Sequence, residues 1–298
     1  MAKIHLQFTL FSAFYSPLIS AMTGSFLAEE GFEYDWSVAE PGVSALNALE
    51  DGTAQVVQST ISQGFMSLEN GHQPEARHFA LINNMDGFFI SGRDADNNFD
   101  WASLEGADVL VHHGGQPMTM FKFACHKAGI DIGKINIIDV GNAKEMDIAY
   151  RQGRGQYIHQ QGPAPQQLEA DGVGYVVAAL GPVVGACAFS SLAAMPVWLK
   201  TEDGQAFCRA YARTRQYVAT RPAAEIALAE KSLFPQIDEA VLTQCIHAYQ
   251  NMGCWPVEMT ITDAGYNAML DIFEFDGKIS QRHPYESICI GNLSLIHI

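Results

Sequence analysis

Residues 109–129 read VLVHHGGQPMTMFKFACHKAG, an apolar strand that halts at His112, His113, Gly114 and Gly115 before a helix-patterned run. A strand-to-helix corner of this make-up suits recognition of polar groups. Free N–H groups and the dipole at a helix start favour electron-rich atoms. Glycine lets a ligand approach the backbone closely, and His113 and Gln116 bring side-chain hydrogen bonds of their own. Strand alternation turns His112 to the opposite face. The competing reading is a tight turn with polar filler. Other corners repeat the pattern: Ser12, Phe14 and Tyr15 in FSAFYSP, Gly42 and Val43 in EPGVS, Ser59 and Thr60 in QSTIS, and His159, Gln160 and Gln161 in HQQGPAP. Asn84 in NNMDG and Phe189 in GACAFSS complete the candidate ligand-binding set. Aromatic rings at the first corner suit a flat guest or, alternatively, cover the core. Asp86 in NNMDG reads either as part of this lining or as hinge scaffolding.

Catalytic and metal chemistry are less well supplied. His112, His113 and His159 would have to converge, yet adjacent strand residues face opposite ways, so the expectation is no metal. The six cysteines are scattered with no C-x-x-C pair, and several sit inside apolar patterns such as GACAF and LTQCIHAY, where a thiol behaves as a small hydrophobe. Cys187 beside His113 or His159 would make a physically reasonable nucleophile, but a buried structural thiol is the favoured reading. No G-x-S-x-G, H-E-x-x-H, phosphate loop or dinucleotide fingerprint occurs, and nothing calls for a cofactor.

Composition narrows the partners. Of 298 residues, 33 are acidic and 17 are Lys or Arg, a formal charge of −16. Such a balance argues against nucleic acid, whose affinity rests on basic side chains neutralising phosphates. No apolar run reaches the roughly 20 residues of a membrane span. The chain enters a strand pattern within three residues, without the form of a signal peptide. With its unpaired cysteines this points to the cytoplasm as the sequence stands, or to the periplasm if the true start lies upstream. The last six residues, LSLIHI (293–298), match the translation of a common sequencing adapter and are expected to carry no fold information.

The elements that must position the corners alternate. KIHLQFTLF reads as a strand and SPLISAMTGSFLAEEG as a helix with Ser16, Pro17 and Gly31 at its punctuation points. Strand FEYDWSVAE, helix GVSALNALEDG, strand AQVVQS, helix TISQGFMSLENG and strand HFALINNM follow. After GFFISG and a polar crossing the alternation restarts with ADVLVH, QPMTMFKFACHKAG, INIIDV, a helix capped by Asn142 and Glu145, QYIHQ and GYVVAAL. EDGTAQVVQS and RQGRGQYIHQ echo each other through Gln55 and Gln156. Past Ala186 the pattern turns mainly helical. Two α/β units in series follow, whose ligands belong beyond the carboxyl ends of the strands.

This order resembles the solute-binding proteins of the alkanesulfonate and taurine type, grouped with the thiamine pyrimidine-precursor synthases. FSAFYSPLISAMTGSFLAEEGFEYDW is similar to that family's opening strand and helix, PGVSALNALEDGTAQVV to its second helix and the step into the third strand. SLEGADVLVHHGGQPMTMFKFACHKAGI is similar to the start of its second domain, and CWPVEMTITDAGYNAMLDIFEFDGKIS to its closing helix. The family carries aspartate where this chain has Gln55 and Gln156. The resemblance implies an α/β, two-lobed periplasmic-binding-protein-like (type II) fold, with mostly parallel sheets and a helical carboxyl-terminal region. Residues 1–92 and 182–292 would form lobe one and residues 93–181 lobe two, hinged around a cleft. It implies a small-molecule ligand in the cleft and an ABC permease as partner; the corners rich in Gly, Ser, Thr, His, Gln and aromatics make that ligand aromatic or heterocyclic with polar or anionic substituents. The alternative is an intracellular enzyme on the same fold, for thiamine pyrimidine-precursor synthesis or a decarboxylase or lyase step on a small ring compound.

Overall fold

The computed structural model describes residues 1–40, 42–95, 98–113 and 115–291; Gly114 and the adapter-like residues 293–298 lie outside them. The chain opens with β1 (Ala2–Phe8), α1 (Ser16–Thr23), α2 (Phe26–Glu29), β2 (Phe32–Val38), α3 (Asn47–Glu50), β3 (Val56–Ser59), α4 (Ile61–Glu69) and β4 (Arg77–Asn83). It continues through β5 (Phe88–Gly92), β6 (Asp108–Leu110), α5 (Gly115–Lys127), β7 (Asn136–Ile138), α6 (Ala143–Arg151), β8 (Tyr157–Gln161), α7 (Ala164–Ala170) and β9 (Tyr175–Ala179). It closes with α8 (Gly181–Val184), β10 (Ser190–Ala194), α9 (Pro196–Leu199), α10 (Glu202–Thr220), α11 (Ala223–Glu230), α12 (Glu239–Met252) and α13 (Asp263–Phe275).

These strands build two five-stranded sheets of matching plan, β2-β1-β3-β10-β4 and β7-β6-β8-β5-β9. In each, three parallel strands meet one antiparallel strand, β10 or β5. Those two are the strands the chain enters directly on crossing between the lobes. β5 pairs with β8 and β9, so the first crossing runs through residues 84–87, ahead of the strand expected to end lobe one. The echo around the two glutamines is structural. Gln55 accepts the His5 N–H on its side-chain oxygen at 2.8 Å while its own N–H donates to the His5 carbonyl. Gln156 treats Asp108 in the same way, with the side-chain bond at 3.0 Å. Each glutamine therefore starts the third parallel strand of its sheet with two bonds to the strand beside it, which pins the register.

Local departures have local causes. The helix expected over residues 16–31 breaks at Gly24–Ser25, where Ser25 takes φ 66° and the Phe26 ring packs against Gly24. β10 was hidden in the sequence because SSLAA is buried along its whole length and shows no two-residue alternation. Long helix α10 lies against α1 and sends the fully buried Arg215 to the carbonyls of Ile82, Pro256 and Glu258, while Tyr211 donates to Leu81 O at 2.9 Å. The carboxyl-terminal segment covers the β4 edge, with His78 N–H on Ile288 O and Ile290 N–H on His78 O, both 2.9 Å.

Gly87 sits in the first crossing, where an added Cβ would stand 2.3 Å from the Phe14 ring. Gly87→Ala is therefore expected to cost roughly 1–3 kcal/mol by overpacking. A melting curve should show Tm lowered by several degrees; an unchanged Tm would mean that Phe14 is not held against this crossing.

Candidate functional site

The carboxyl ends of the parallel strands of the two sheets face one another. β1 runs into a short 3-10 turn, Ala13–Tyr15, capped by Ser12, whose Oγ accepts from Phe14 N–H at 3.1 Å. The same hydroxyl donates across the gap to the carbonyl of Gly162, 2.6 Å away at the end of β8. β3 runs into α4, capped by Thr60. There the side-chain oxygen of Gln116, in the first turn of α5, accepts from the Thr60 hydroxyl and from Ser62 Oγ at 2.8 Å. Gln116 Nε2 donates to Phe189 O at 2.8 Å, so one amide joins a corner of each lobe and the second crossing. Tyr249 adds another tie, taking the Gly162 N–H at 2.7 Å and donating to Gly87 O at 3.1 Å. Lower on the same seam, Asp276 holds Thr119 and Lys122 of α5 at 2.7 Å each.

Behind these ties lies a wall of buried polar atoms that lack hydrogen-bond partners. Ser59 Oγ, Asn84 Oδ1, Asp86 Oδ2, both ring nitrogens of His159 and both amide atoms of Gln161 belong to it. These seven atoms are half of the fourteen such atoms among the described residues, and they sit in the last residues of β3 and β8 or in the first crossing; Gln160 points the other way, its Nε2 toward Asp147 of α6. Buried polar groups without partners are uncommon and costly. Here the fold leaves hydrogen-bonding capacity at the strand ends that it does not use itself.

The electrostatics follow from burial. Asp86 is fully buried with one oxygen on Phe88 N–H at 2.6 Å, and desolvation pushes its pKa up to about 7 against that hydrogen bond. Tyr15 is held well above the usual phenol range, first by burial and then by the Asp86 charge. The amides of Gln161 and Gln58 lie near enough to Tyr15 to offset part of that, although neither atom of the Gln161 amide reaches hydrogen-bond geometry. His159 is stacked on Phe88 at 4.4 Å and packed against Phe121 at 5.3 Å. Burial, helped by nearby His112, lowers its pKa to about 3, so the ring is neutral at ordinary pH.

The sequence-derived set divides on this geometry. Ser12, Phe14, Tyr15, Ser59, Thr60, Gln116, His159, Gln161 and Phe189 are buried or part-buried around the seam, with Asn84 beside them. Phe14 spends its ring on Phe189, 5.5 Å, and Tyr249, 4.7 Å, which is core packing at the hinge. His113 turns Nδ1 to the Val111 carbonyl at 2.8 Å and approaches Asp139 at 3.7 Å, and Gly115 is exposed with φ 50°. Gly42 and Val43 stand apart in an exposed turn, where Val43 borders a hollow of about 250 Å³ shared with Gln7, Val38 and Asn47. A second hollow, about 360 Å³, lies between Phe26, Arg213 and Tyr217 on the outer face of lobe one. Sequence reasoning missed Gln58, whose Oε1 takes Thr9 N–H at 3.0 Å, and Ser62, Tyr249 and Trp255. Trp255 Nε1 donates to Asn83 Oδ1 at 2.8 Å and Phe14 O at 3.0 Å. Ser62 lay within reading distance, two residues past Thr60. Tyr249 and Trp255 carry no local signal, because only the return of the helical region brings them to the crossings.

Among the described residues no group of three His, Cys, Asp or Glu side chains is placed to hold a metal ion. All six cysteines are free and buried. Burial, with the charge of Asp86 added, holds the Cys187 thiol well above its ordinary range, the opposite of what activates a nucleophile. No helix among the described residues is long and apolar enough to cross a membrane.

No protein-family model matches the chain. It is 24% identical over 295 residues to YtlA of Bacillus subtilis (strain 168), provisionally described as a binding protein, covering 97% of this chain and 87% of that one. Among solved structures, the ligand-binding component of an ABC-type import system from Staphylococcus aureus, with zinc bound, superposes with a TM-score of 0.75 at 17% identity, over 100% of this chain and 98% of that one. The alkanesulfonate-binding protein SsuA from Xanthomonas axonopodis pv. citri, bound to MOPS, gives 0.75 at 13% identity, over 98% and 99%. The chain thus has the two-lobed periplasmic-binding-protein fold with a helical carboxyl-terminal region.

Two outcomes follow from the seam. Gln116→Ala deletes three hydrogen bonds across it and should shift the protein toward an open form. Solution scattering should show a larger radius of gyration, and amides near Thr60 and Phe189 should exchange faster; an unchanged envelope would deny Gln116 this role. Asp86 binds protons in the fold up to about pH 7 but in the unfolded chain only to about its ordinary value of 3.8. Its contribution to stability therefore falls as pH rises from about 4 to 7 and stays low above that, by an amount on the order of a few kcal/mol. Asp86→Asn should raise Tm at pH 8 and change it far less at pH 4; equal shifts at both would refute the buried-acid account.

Proposed function

We propose that this chain is the solute-binding component of an ABC-type uptake system, or a closely related ligand carrier, and that it encloses a small ring-bearing solute with polar substituents between its lobes. The observation that carries the reading is the wall of unpartnered buried atoms from Ser59, Asn84, Asp86, His159 and Gln161 at the meeting of the strand ends. The likeness to ABC-type binding proteins supports it. We take the two sheets as the two lobes, with the first crossing at residues 84–87 and the second at 180–189. The pivot lies where these segments run side by side. Tyr15, Thr60, Gln116 and Gln161 would line the cleft from opposite sides. Gly42, Val43, His113 and Gly115 are assigned to its rim, where closure would bring them over the guest. Binding is by closure, without covalent chemistry, and the working place is the outer side of a cytoplasmic membrane, facing a permease.

A binder gains stability by mass action, about 2.7 kcal/mol at a hundredfold excess over Kd. A melting screen of ring amides, amidines, pyrimidines, aromatic acids and sulfonates should give at least one clear rise in Tm. The ligand should be recovered chemically unchanged after incubation. Its conversion to product would favour the enzyme reading instead.

A further inference from the structure

The groups left without partners define a charge class. Three of them are oxygens that accept when Asp86 is ionised, Asp86 Oδ2, Asn84 Oδ1 and Gln161 Oε1; the Gln161 N–H₂, the Ser59 hydroxyl and the one N–H of the neutral His159 ring stand beside them as donors. Asp86 is fully buried and Gln161 8% exposed. Both lie near Tyr15, so the first crossing and the end of β8 face one region. An occupant that satisfies the three oxygens has to bring hydrogen-bond donors to them.

The usual devices for holding an oxyanion are absent from this region or already engaged. None of the 17 Lys and Arg residues, all of them described, is hydrogen-bonded or ion-paired to the wall. Lys122, on α5, is committed to Asp276, and Arg215 to backbone carbonyls. The amino terminus of α4, the natural seat for an anion, is occupied by the neutral side-chain oxygen of Gln116 on Thr60 and Ser62. The net charge of −16 draws cations toward the protein and repels anions.

Resting on the binding reading above, we infer that the solute is an N–H-rich ring compound, neutral or cationic, of the amide or amidine class, and not a carboxylate or sulfonate. Asp86 is the residue that distinguishes charge, accepting from the guest on the oxygen that Phe88 N–H leaves uncommitted. Gln161 supplies an acceptor from the opposite lobe. The other titratable groups facing Asp86 are Tyr15, Cys187 and Cys254, all held protonated by burial, so Asp86 is the group that titrates near neutrality.

The test uses three probes of one shape, benzamidine, benzamide and benzoate, with benzenesulfonate as a second anion, read by calorimetry and melting on the whole chain. Benzamidine and benzamide should bind at least tenfold tighter than either anion. Benzamidine affinity should rise about tenfold from pH 6 to pH 8 as a carboxyl of pKa near 7 ionises, while benzamide affinity shows no such rise. Asp86→Asn should erase the advantage of benzamidine over benzamide, and Gln161→Ala should weaken both; the Tm of each unliganded variant verifies that it folds. Anions binding as tightly as the amidine would overturn the charge assignment and leave the binding reading intact. Silence from all four probes in the wild type would count against the binding reading and the inference together.

Discussion

The two crossings between lobes are tied to each other by backbone hydrogen bonds, and the remaining architecture depends on that pairing. Cys187 N–H donates to Asn84 O at 2.8 Å, Phe189 N–H to Asn83 O at 3.1 Å and Leu180 N–H to Phe88 O at 3.0 Å. Two strands joined in this way can twist together but cannot slide apart, so the lobes keep a common axis while their far edges swing. The rings of Phe14, Tyr249 and Trp255 fill the space around the axis. Tyr249 donates to Gly87 O in the first crossing and Trp255 to Phe14 O in the turn after β1, which fixes those two rings in place. Because β5 and β10 are laid down directly by the crossings, each sheet's antiparallel strand is also its mechanical link to the other sheet.

Burial of polar groups is handled in two ways within this molecule. Glu230, fully buried at the end of α11 against α1, is satisfied by the Ser16 and Ser20 hydroxyls at 2.8 and 2.6 Å, and burial raises its pKa to about 8. Its role is complete within the fold. The wall at the strand ends is different, because Asp86 and Gln161 are equally removed from water yet carry atoms that no neighbour satisfies. Such an arrangement lowers the stability of the empty protein, and proteins retain it where a function needs it. The contrast separates a buried acid that the fold satisfies from one that it leaves with an uncommitted oxygen.

Much of the fold was legible locally. Strand ends, the helix cap at Asn142, and the glycine–glutamine steps before Gln55 and Gln156 all follow from residue type and short spacing, whereas Ser16, read as a cap, lies inside α1 and bonds Glu230. The corner positions were legible too, because ligands in open α/β sheets gather at carboxyl strand ends. Which corner residues face the seam was not. Gln116 was read as a ligand contact and spends its amide joining the lobes. His113, the residue that first drew notice, turns back on its own strand.

The amino-acid sequence alone determined the alternation of strands and helices, the acidic surface, the inert character of the scattered thiols and the list of polar corners. Each of these is a property of composition or of neighbours within a few residues. The tertiary structure decided which polar atoms are left unpaired, that Asp86 shares a buried region with Tyr15 and Gln161, and that Tyr249 and Trp255 brace the hinge from more than 160 residues away. Those outcomes depend on chain return and on the loss of water around each group, quantities that no local stretch of sequence contains.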